Sequence, residues 1–384
     1  MSQIKLGDVA VESRETYKDD KTGIPIVGLE HITPGDVTLS NWDMDTDNTF
    51  TKRFHKGDML FGRRRAYLKK AAQAPFDGIC SGDITVIRAK EELLLPELLP
   101  FIIQNDNLFE FAMGKSAGSL SPRVKWENLK NYTFDLPPMD EQKKLAEVLW
   151  SINDTLQAYQ KLLTETDALV QARFIEMFGE DDIDHCRWPV DLMENIFLIS
   201  SSKRILKSEW KTDGNIPFIR VRDMVQLANG EPLSNEFFVS EEFYNSRPKE
   251  EQVQAGDIIV SATSTIGKTY IIKQGERFYF KDADVLLFRK KLSINETFFT
   301  YGLTMPTVWS QIEGGLGATT VAHFLISKAC KLKQPLPPLN LQEEFEAIIK
   351  KANRSKSALQ NTITSLQATK RCILEDALWT GRKE

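Results

Sequence analysis

The sequence predicts an α+β protein built twice: two similar globular domains, each followed by a long helix, with the two helices pairing as an antiparallel coiled coil. Three observations predict it. Leu136-Pro137-Pro138-Met139 returns as Leu336-Pro337-Pro338-Leu339. An unbroken helical pattern of about forty residues follows each copy. Leu145, Val148, Ile152, Thr155, Tyr159, Leu162, Thr166 and Leu169 alternate at spacings of three and four, and adding 200 to each number lands on Phe345, Ile348, Ala352, Ser355, Leu359, Thr362, Leu366 and Thr369. Both stretches therefore read as heptads.

Taken in chain order, residues 1–138 form the first globular segment, 139–179 the first long helix, 180–338 the second globular segment, and 339–384 the second helix with its tail. Within the globular segments, Ile24-Pro25-Ile26-Val27 matches Ile216-Pro217-Phe218-Ile219. Lys56-Gly57-Asp58-Met59-Leu60-Phe61 matches Ala255-Gly256-Asp257-Ile258-Ile259-Val260, a Gly-Asp turn opening an apolar strand each time. Runs such as Asp83 to Ile87 and Ala283 to Phe288 read as further strands of a mostly antiparallel sheet, and Leu95 to Met113 and Ile294 to Ile312 read as helical. At the long helices, Asp140 and Asn340 are expected as N-caps, supported by Glu141 and Glu343, and Gly179 and Gly381 as stops. A boundary is also expected at the acidic tract Glu180-Asp181-Asp182. A helix of this length spans about 60 Å at about 1.5 Å per residue and cannot bury its stripe against itself, so the other copy is the expected partner. Thr and Ser in the seam predict a pair of moderate stability.

At 384 residues, with 41% hydrophobic and 27% charged content, the chain has room for more than one core. No apolar run approaches the ~20 residues of a membrane span, and the start Met1-Ser2-Gln3-Ile4-Lys5-Leu6 lacks a signal-peptide core, which makes the cytoplasm the expected location. Cys80, Cys186, Cys330 and Cys372 show neither disulfide nor zinc spacing, and His31, His55, His185 and His323 read as solvent or packing residues. Net charge is -5, yet Lys52, Arg53, Lys56, Arg63, Arg64, Arg65, Lys69 and Lys70 crowd one stretch against a single acid, Asp58. The charge is local.

The two halves diverge after the Gly-Asp strand. One continues Gly62-Arg63-Arg64-Arg65-Ala66-Tyr67, the other Ser261-Ala262-Thr263-Ser264-Thr265-Ile266-Gly267-Lys268. A shared scaffold carrying two unlike polar loops suits a protein that reads two unlike ligands. Arginine suits guanine edges and phosphate, and Ser and Thr suit phosphate oxygens or several base edges.

With these residues in hand, the order globular domain, Leu-Pro-Pro-x-x-x-Gln helix, globular domain, Leu-Pro-Pro-x-x-x-Gln helix resembles the specificity subunit of type I restriction-modification systems over essentially the whole chain. Leu136 to Gln142, Leu336 to Gln342, Gly57-Asp58 and Gly256-Asp257 carry the resemblance, together with the pre-helix segments Lys115 to Pro122 and Gly314 to Thr320. Leu341-Gln342 departs from the family, which usually has an acid before this Gln. The resemblance implies a non-catalytic targeting subunit whose two target recognition domains read the halves of a bipartite, asymmetric site in double-stranded DNA. It implies helices that act as spacer and as docking surface for two modification (methyltransferase) subunits. Those partners would carry S-adenosylmethionine, and restriction subunits would supply the ATP- and Mg-dependent motor and nuclease, leaving this chain with no cofactor, metal or catalytic residue of its own. Expected DNA contacts are Arg63, Arg64, Arg65, Tyr67 and Lys69 in the first half and Ser261, Thr263, Ser264, Thr265 and Lys268 in the second, followed by Lys203, Arg204, Arg220 and Arg222.

Two other readings compete. A coiled-coil adaptor with protein-binding ends would share the helices. A P-loop ATPase would use Ala262 to Thr269, but the β-branched residues from Thr269 to Ile272 predict a strand where a phosphate-binding loop needs a helix. The chain also lacks the Asn-Pro-Pro-Tyr or Asp-Pro-Pro-Tyr tetrapeptide expected of an adenine methyltransferase.

Overall fold

The structure, a computed structural model, describes residues 2–44, 47–115, 123–179, 183–233, 236–315 and 323–379. It divides into two compact units, Met1–Leu162 with Ala358–Glu384, and Leu163–Ser357.

In the first unit a four-stranded antiparallel sheet runs in the order Ala10–Ser13, Ile84–Ala89, Met59–Gly62, Ala71–Gln73. Its central strands are apolar at successive positions because both faces are covered. Met59, Phe61 and Ile87 enter one core, while Leu60, Ile84 and Val86 enter another. A smaller sheet joins Ile26–Val27, Gly78–Cys80 and Lys52–Phe54, with Ile26 parallel to Ile79. Ser2–Lys5 pairs with Thr133–Leu136.

The second unit repeats the plan. Its four strands are Phe197–Ser200, Val285–Lys290, Ile258–Ser261 and Thr269–Ile271, and its smaller sheet again contains one parallel pair, Phe218 against Tyr279. Ile258 and Val260 face one core while Ile259 faces another. Among the described residues the expected single sheet is thus three sheets per half, mostly antiparallel.

The Gly-Asp turns form as expected, with Gly57 at φ 91° and Gly256 at φ 85°. Each aspartate is a buried lock. Asp58 accepts the His55 N–H at 2.8 Å and both arms of Arg88 at 2.7 and 2.8 Å. Asp257 accepts the Gln254 N–H at 2.8 Å and Arg289 at 3.0 and 2.6 Å. Each presumed helix before the Leu-Pro-Pro motif is in fact two: Leu99–Ile103 then Asp106–Gly114, and Glu296–Gly302 then Pro306–Gly315. Asn105 breaks the first stretch by capping the second helix, its side chain accepting the Asn107 N–H.

The long helices run Met139–Phe178 and Leu339–Leu378, 40 residues each. Asp140 and Asn340 are not the N-caps. Both lie inside the first turn, and the carbonyls of Pro138 and Pro338 accept the first helical N–H groups. The glutamine of the motif does the anchoring. Gln142 is buried, donates to the Pro137 and Leu93 carbonyls at 3.0 and 3.1 Å, and accepts the Leu95 N–H at 2.9 Å. Gln342 does the same with the Pro337 carbonyl at 2.7 Å and the Asn295 N–H at 2.9 Å. Gly179, at φ 92°, closes the first helix with its N–H on the Ile175 carbonyl. Gly381, the 180–182 tract, and all but Lys115, Gly314 and Gly315 of the two pre-helix segments lie outside the described residues.

The seam register needs correction. Leu145, Ile152, Tyr159 and Thr166 are partly buried, but Val148, Leu162 and Leu169 are 46, 44 and 62% exposed. The buried partners are one residue later, at Leu149, Leu163 and Val170, and again at Ile363 in the second helix. Thr362 and Thr369 face outward, their hydroxyls donating to Ala358 and Ser365 carbonyls, so the seam is less polar than expected. The antiparallel pairing is present within each unit. In the first, Ala146 and Leu149 near the start of one helix share a core with Leu374, Leu378 and Trp379 at the end of the other. In the second, Phe174 and Phe178 meet Phe345 edge to face with ring centres 5.2 and 5.6 Å apart, and Lys356 pairs with Asp167 at 2.5 Å.

Candidate nucleic-acid interface

The loops that follow the Gly-Asp strands hang from one set of backbone hydrogen bonds. In the first half Gly62 N–H meets the Lys70 carbonyl at 2.8 Å, Arg63 N–H the Asp83 carbonyl at 3.0 Å, and Val124 N–H the Arg63 carbonyl at 2.8 Å. In the second, Ser261 N–H meets the Lys268 carbonyl at 2.9 Å, Ala262 N–H the Asp284 carbonyl at 2.8 Å, and Phe324 N–H the Ala262 carbonyl at 2.9 Å. These bonds make Arg63 the counterpart of Ala262 and bring Arg65 level with Ser264. Among the described residues, four that are not glycine have positive φ: Arg65 at 56°, Lys69 at 50°, Ser264 at 58° and Ala283 at 56°. Three of the four sit in these two loops. A left-handed backbone costs a residue with a side chain on the order of 1 kcal/mol, and such strain collects where a protein holds a surface ready for a ligand.

In the first loop Arg64, Arg65 and Tyr67 are exposed, Tyr67 by 56%. Ala66 is buried and pins the short turn Ala66–Leu68 to the core. Arg63 is half-buried. Lys69 pairs with Asp106 at 2.5 Å. Asp83 lies under the loop and takes Arg123 at 2.9 Å and Arg64 at 3.6 Å. Arg123 stands one residue beyond the pre-helix segment Lys115 to Pro122, and nothing in the sequence ties it to the arginine loop.

The second loop sorts differently. Ser264, Thr265 and Lys268 are exposed. Thr263 is 7% exposed and Ser261 is fully buried. The Ser261 hydroxyl donates to the Thr265 carbonyl and accepts the Lys268 N–H at 2.9 Å, so this side chain holds the loop's shape and cannot reach a ligand. The same bonds dispose of the nucleotide reading. Lys268 and Gly267 direct their N–H groups into the loop itself, the latter onto the Ser261 carbonyl at 3.0 Å, and the strand Thr269–Ile271 follows.

Lys203 and Arg204 are exposed on a separate stretch, where the Tyr279 hydroxyl accepts the Lys203 N–H at 2.8 Å. Arg220 is committed elsewhere: its guanidinium meets Asp223 and Glu236 at 2.9 Å each and lies 4.7 Å over the Phe237 ring. Arg222 shares Glu236 and stays exposed. Among the described residues no group of three His, Cys, Asp or Glu is placed to hold a metal, and no helix is long and apolar enough to cross a membrane.

One scaffold displaying two unlike, strained polar loops defines a two-headed recognition protein. The chain belongs to the type I restriction modification DNA specificity domain family, whose model matches residues 1–165 and 188–366. It is a specificity protein and not an enzyme. It is 26% identical to a putative type I restriction enzyme specificity subunit of Haemophilus influenzae, S.HindORF215P, over 73% of this chain and 69% of that protein. It is 20% identical to a putative type I restriction enzyme MjaX specificity subunit of Methanocaldococcus jannaschii, over 86% and 80%. Its fold is similar to a type I restriction-modification S subunit from M. genitalium, with a TM-score of 0.59 at 13% identity, covering 98% of this chain and 95% of the other. A chain from a structure of type I restriction-modification complex assembly gives 0.59 at 21% identity, covering 98% and 97%.

Proposed function

We propose that the chain reads an asymmetric DNA sequence in two parts, one with each loop, and presents it to modification subunits. The matched loops carry this reading: identical backbone support, with Arg64, Arg65, Tyr67 and Lys69 displayed in one half and Ser264, Thr265 and Lys268 in the other. Unlike side chains on one support read unlike base edges. Lys203, Arg204 and Arg222 are the supporting cations in the second half. Val148, Leu162 and Leu169, apolar and exposed on the first long helix, favour a protein surface laid against that helix. Two modification subunits fit there, bringing S-adenosylmethionine and flipping the target adenine. Restriction subunits then add the ATP- and Mg-dependent motor and nuclease, and the assembly works in the cytoplasm. The long helices serve as the spacer between the two parts of the site.

Mapping methylated adenines in a host that carries this chain with its modification partner tests the reading. A single two-part motif with a fixed gap is expected, and methylation without a motif would refute it. Arg64→Ala should cost about 1 to 3 kcal/mol at one base position of one part, measured as relaxed choice at that position alone. Four residues inserted into the first long helix should lengthen the unread gap, and an unchanged gap would remove the spacer role.

A further inference from the structure

A cleft of about 330 Å³ opens in the first unit beside the arginine loop, lined by Glu12, Arg14, Lys52, Arg63, Lys125, Trp126 and Glu127. Four cations face two carboxylates, and both carboxylates are already matched. Glu12 accepts Arg14 Nε at 2.9 Å, while Glu127 pairs with Lys130 and lies 3.7 Å from Arg14. Lys52 is spent as well, its ammonium donating to the Ile84 carbonyl at 2.6 Å, and burial pushes its pKa down. Arg63 differs. Its backbone is held on both sides, by Asp83 and Val124, yet its Nε is buried with no hydrogen-bond partner. A buried guanidinium N–H without an acceptor is unfavourable; because Arg63 lines the cleft, a small turn of its side chain would bring the guanidinium onto an oxyanion there. Lys125 is exposed, and Trp126 supplies an apolar wall. At the position of Arg63 the second half has the buried Ala262.

We infer that this cleft takes one phosphate of the DNA backbone, with Arg63 as the inner donor and Lys125 as the outer cation. The inference rests on the DNA reading above and sharpens it. Arg63 then grips without reading, and base choice in this loop falls to Arg64 and Arg65. The second half lacks this arginine grip.

The test uses the full chain with its modification partners, a duplex carrying the mapped site, and a scrambled duplex of equal length, with binding followed by fluorescence anisotropy across a salt series. Lys125→Gln alters an exposed side chain, and Arg63→Met keeps the apolar stem. Each should weaken both duplexes by one common factor, roughly 5- to 10-fold, and reduce the log–log salt slope by about 1 while the methylated motif stays the same. A loss confined to the mapped site, with the slope intact, would make Arg63 a base reader and overturn the assignment. Inorganic phosphate bound by the wild type, with DNA binding indifferent to Lys125→Gln, would leave a small-anion site and overturn it too. Failure of the wild-type complex to prefer either duplex would instead overturn the DNA reading itself.

Discussion

Asp58 and Asp257 occupy the same corner of the two halves and hold the same arginine fork, but their surroundings have diverged. Around Asp58, Arg88 also donates to Glu15 at 2.8 Å, and His55 bridges Glu15 and Asp77 at 2.9 Å each. Around Asp257, Arg289 instead donates to the backbone carbonyls of Lys249 and Gln252 at 2.9 and 2.7 Å. The fork builds the fold and was kept through duplication. Its helpers were free to change, one half recruiting titratable side chains and the other fixed backbone.

The largest test of this contrast removes the aspartate. Asp257→Ala leaves a mostly buried Arg289 with carbonyl acceptors but without its paired carboxylate, and should cost about 3 to 5 kcal/mol. Asp58→Ala should cost roughly 2 to 3 kcal/mol, because Arg88 is more exposed and keeps Glu15. Urea unfolding with hydrogen exchange followed in each half measures both, and equal losses would break the comparison. A middle-sized test lies in the helices. Lys370 sits on the Phe101 ring at 5.0 Å, where burial pushes its pKa down to about 8, while the matching residue of the first helix is the buried Val170. Lys370→Val should stabilise the protein by about 1 to 2 kcal/mol at neutral pH, seen as a higher Tm. The unfolded chain binds the extra proton above about pH 8, so the wild type should recover part of that deficit as pH rises through that value. A lower Tm in the variant would show that the amine contributes more than it costs.

The smallest effect is the most diagnostic of difference. Hydrogen bonds to Asp77, then Glu15, raise the His55 pKa above the ordinary 6.5. Its contribution is whole below pH 6.5 and fades as pH rises through the higher folded value. Glu15 works the other way: His55 and Arg88 hold its carboxyl at about 2 against an ordinary 4.5, so its share is lost as pH falls through that range. Gln254 stands where His55 would be and does not titrate. His55→Gln should therefore flatten the alkaline slope of the first half and leave the second unchanged, checked by half-resolved hydrogen exchange between about pH 6 and pH 9. A slope that persists would place the titration elsewhere.

Much of this architecture was legible because duplication prints the same signals twice. The Gly-Asp turns, the Leu-Pro-Pro motif and the offset of 200 all survive in the folded protein. What failed did so for physical reasons. Val148, Leu162 and Leu169 are as apolar as the buried residues beside them, and apolarity alone cannot say which of two neighbours turns inward. Asp140 and Asn340 are good caps by residue type, but proline before them already supplies the carbonyl. Ser261 resembles any loop hydroxyl until the amide of Lys268 is seen to need it. Arg14, Lys52, Arg63 and Lys125 come from three separate stretches of the sequence, and only folding makes them one cleft.

Asp83 has a consequence beyond its place under the loop. With no duplex present it is a counter-charge for Arg64 and Arg123, doing for them what a backbone phosphate would do. On the proposed reading, a duplex that offers Arg64 only another oxyanion gains little over the ion pair it already has with Asp83. One that presents paired acceptors on a purine edge would gain more, so under that reading Asp83 sets a threshold against mistaken binding.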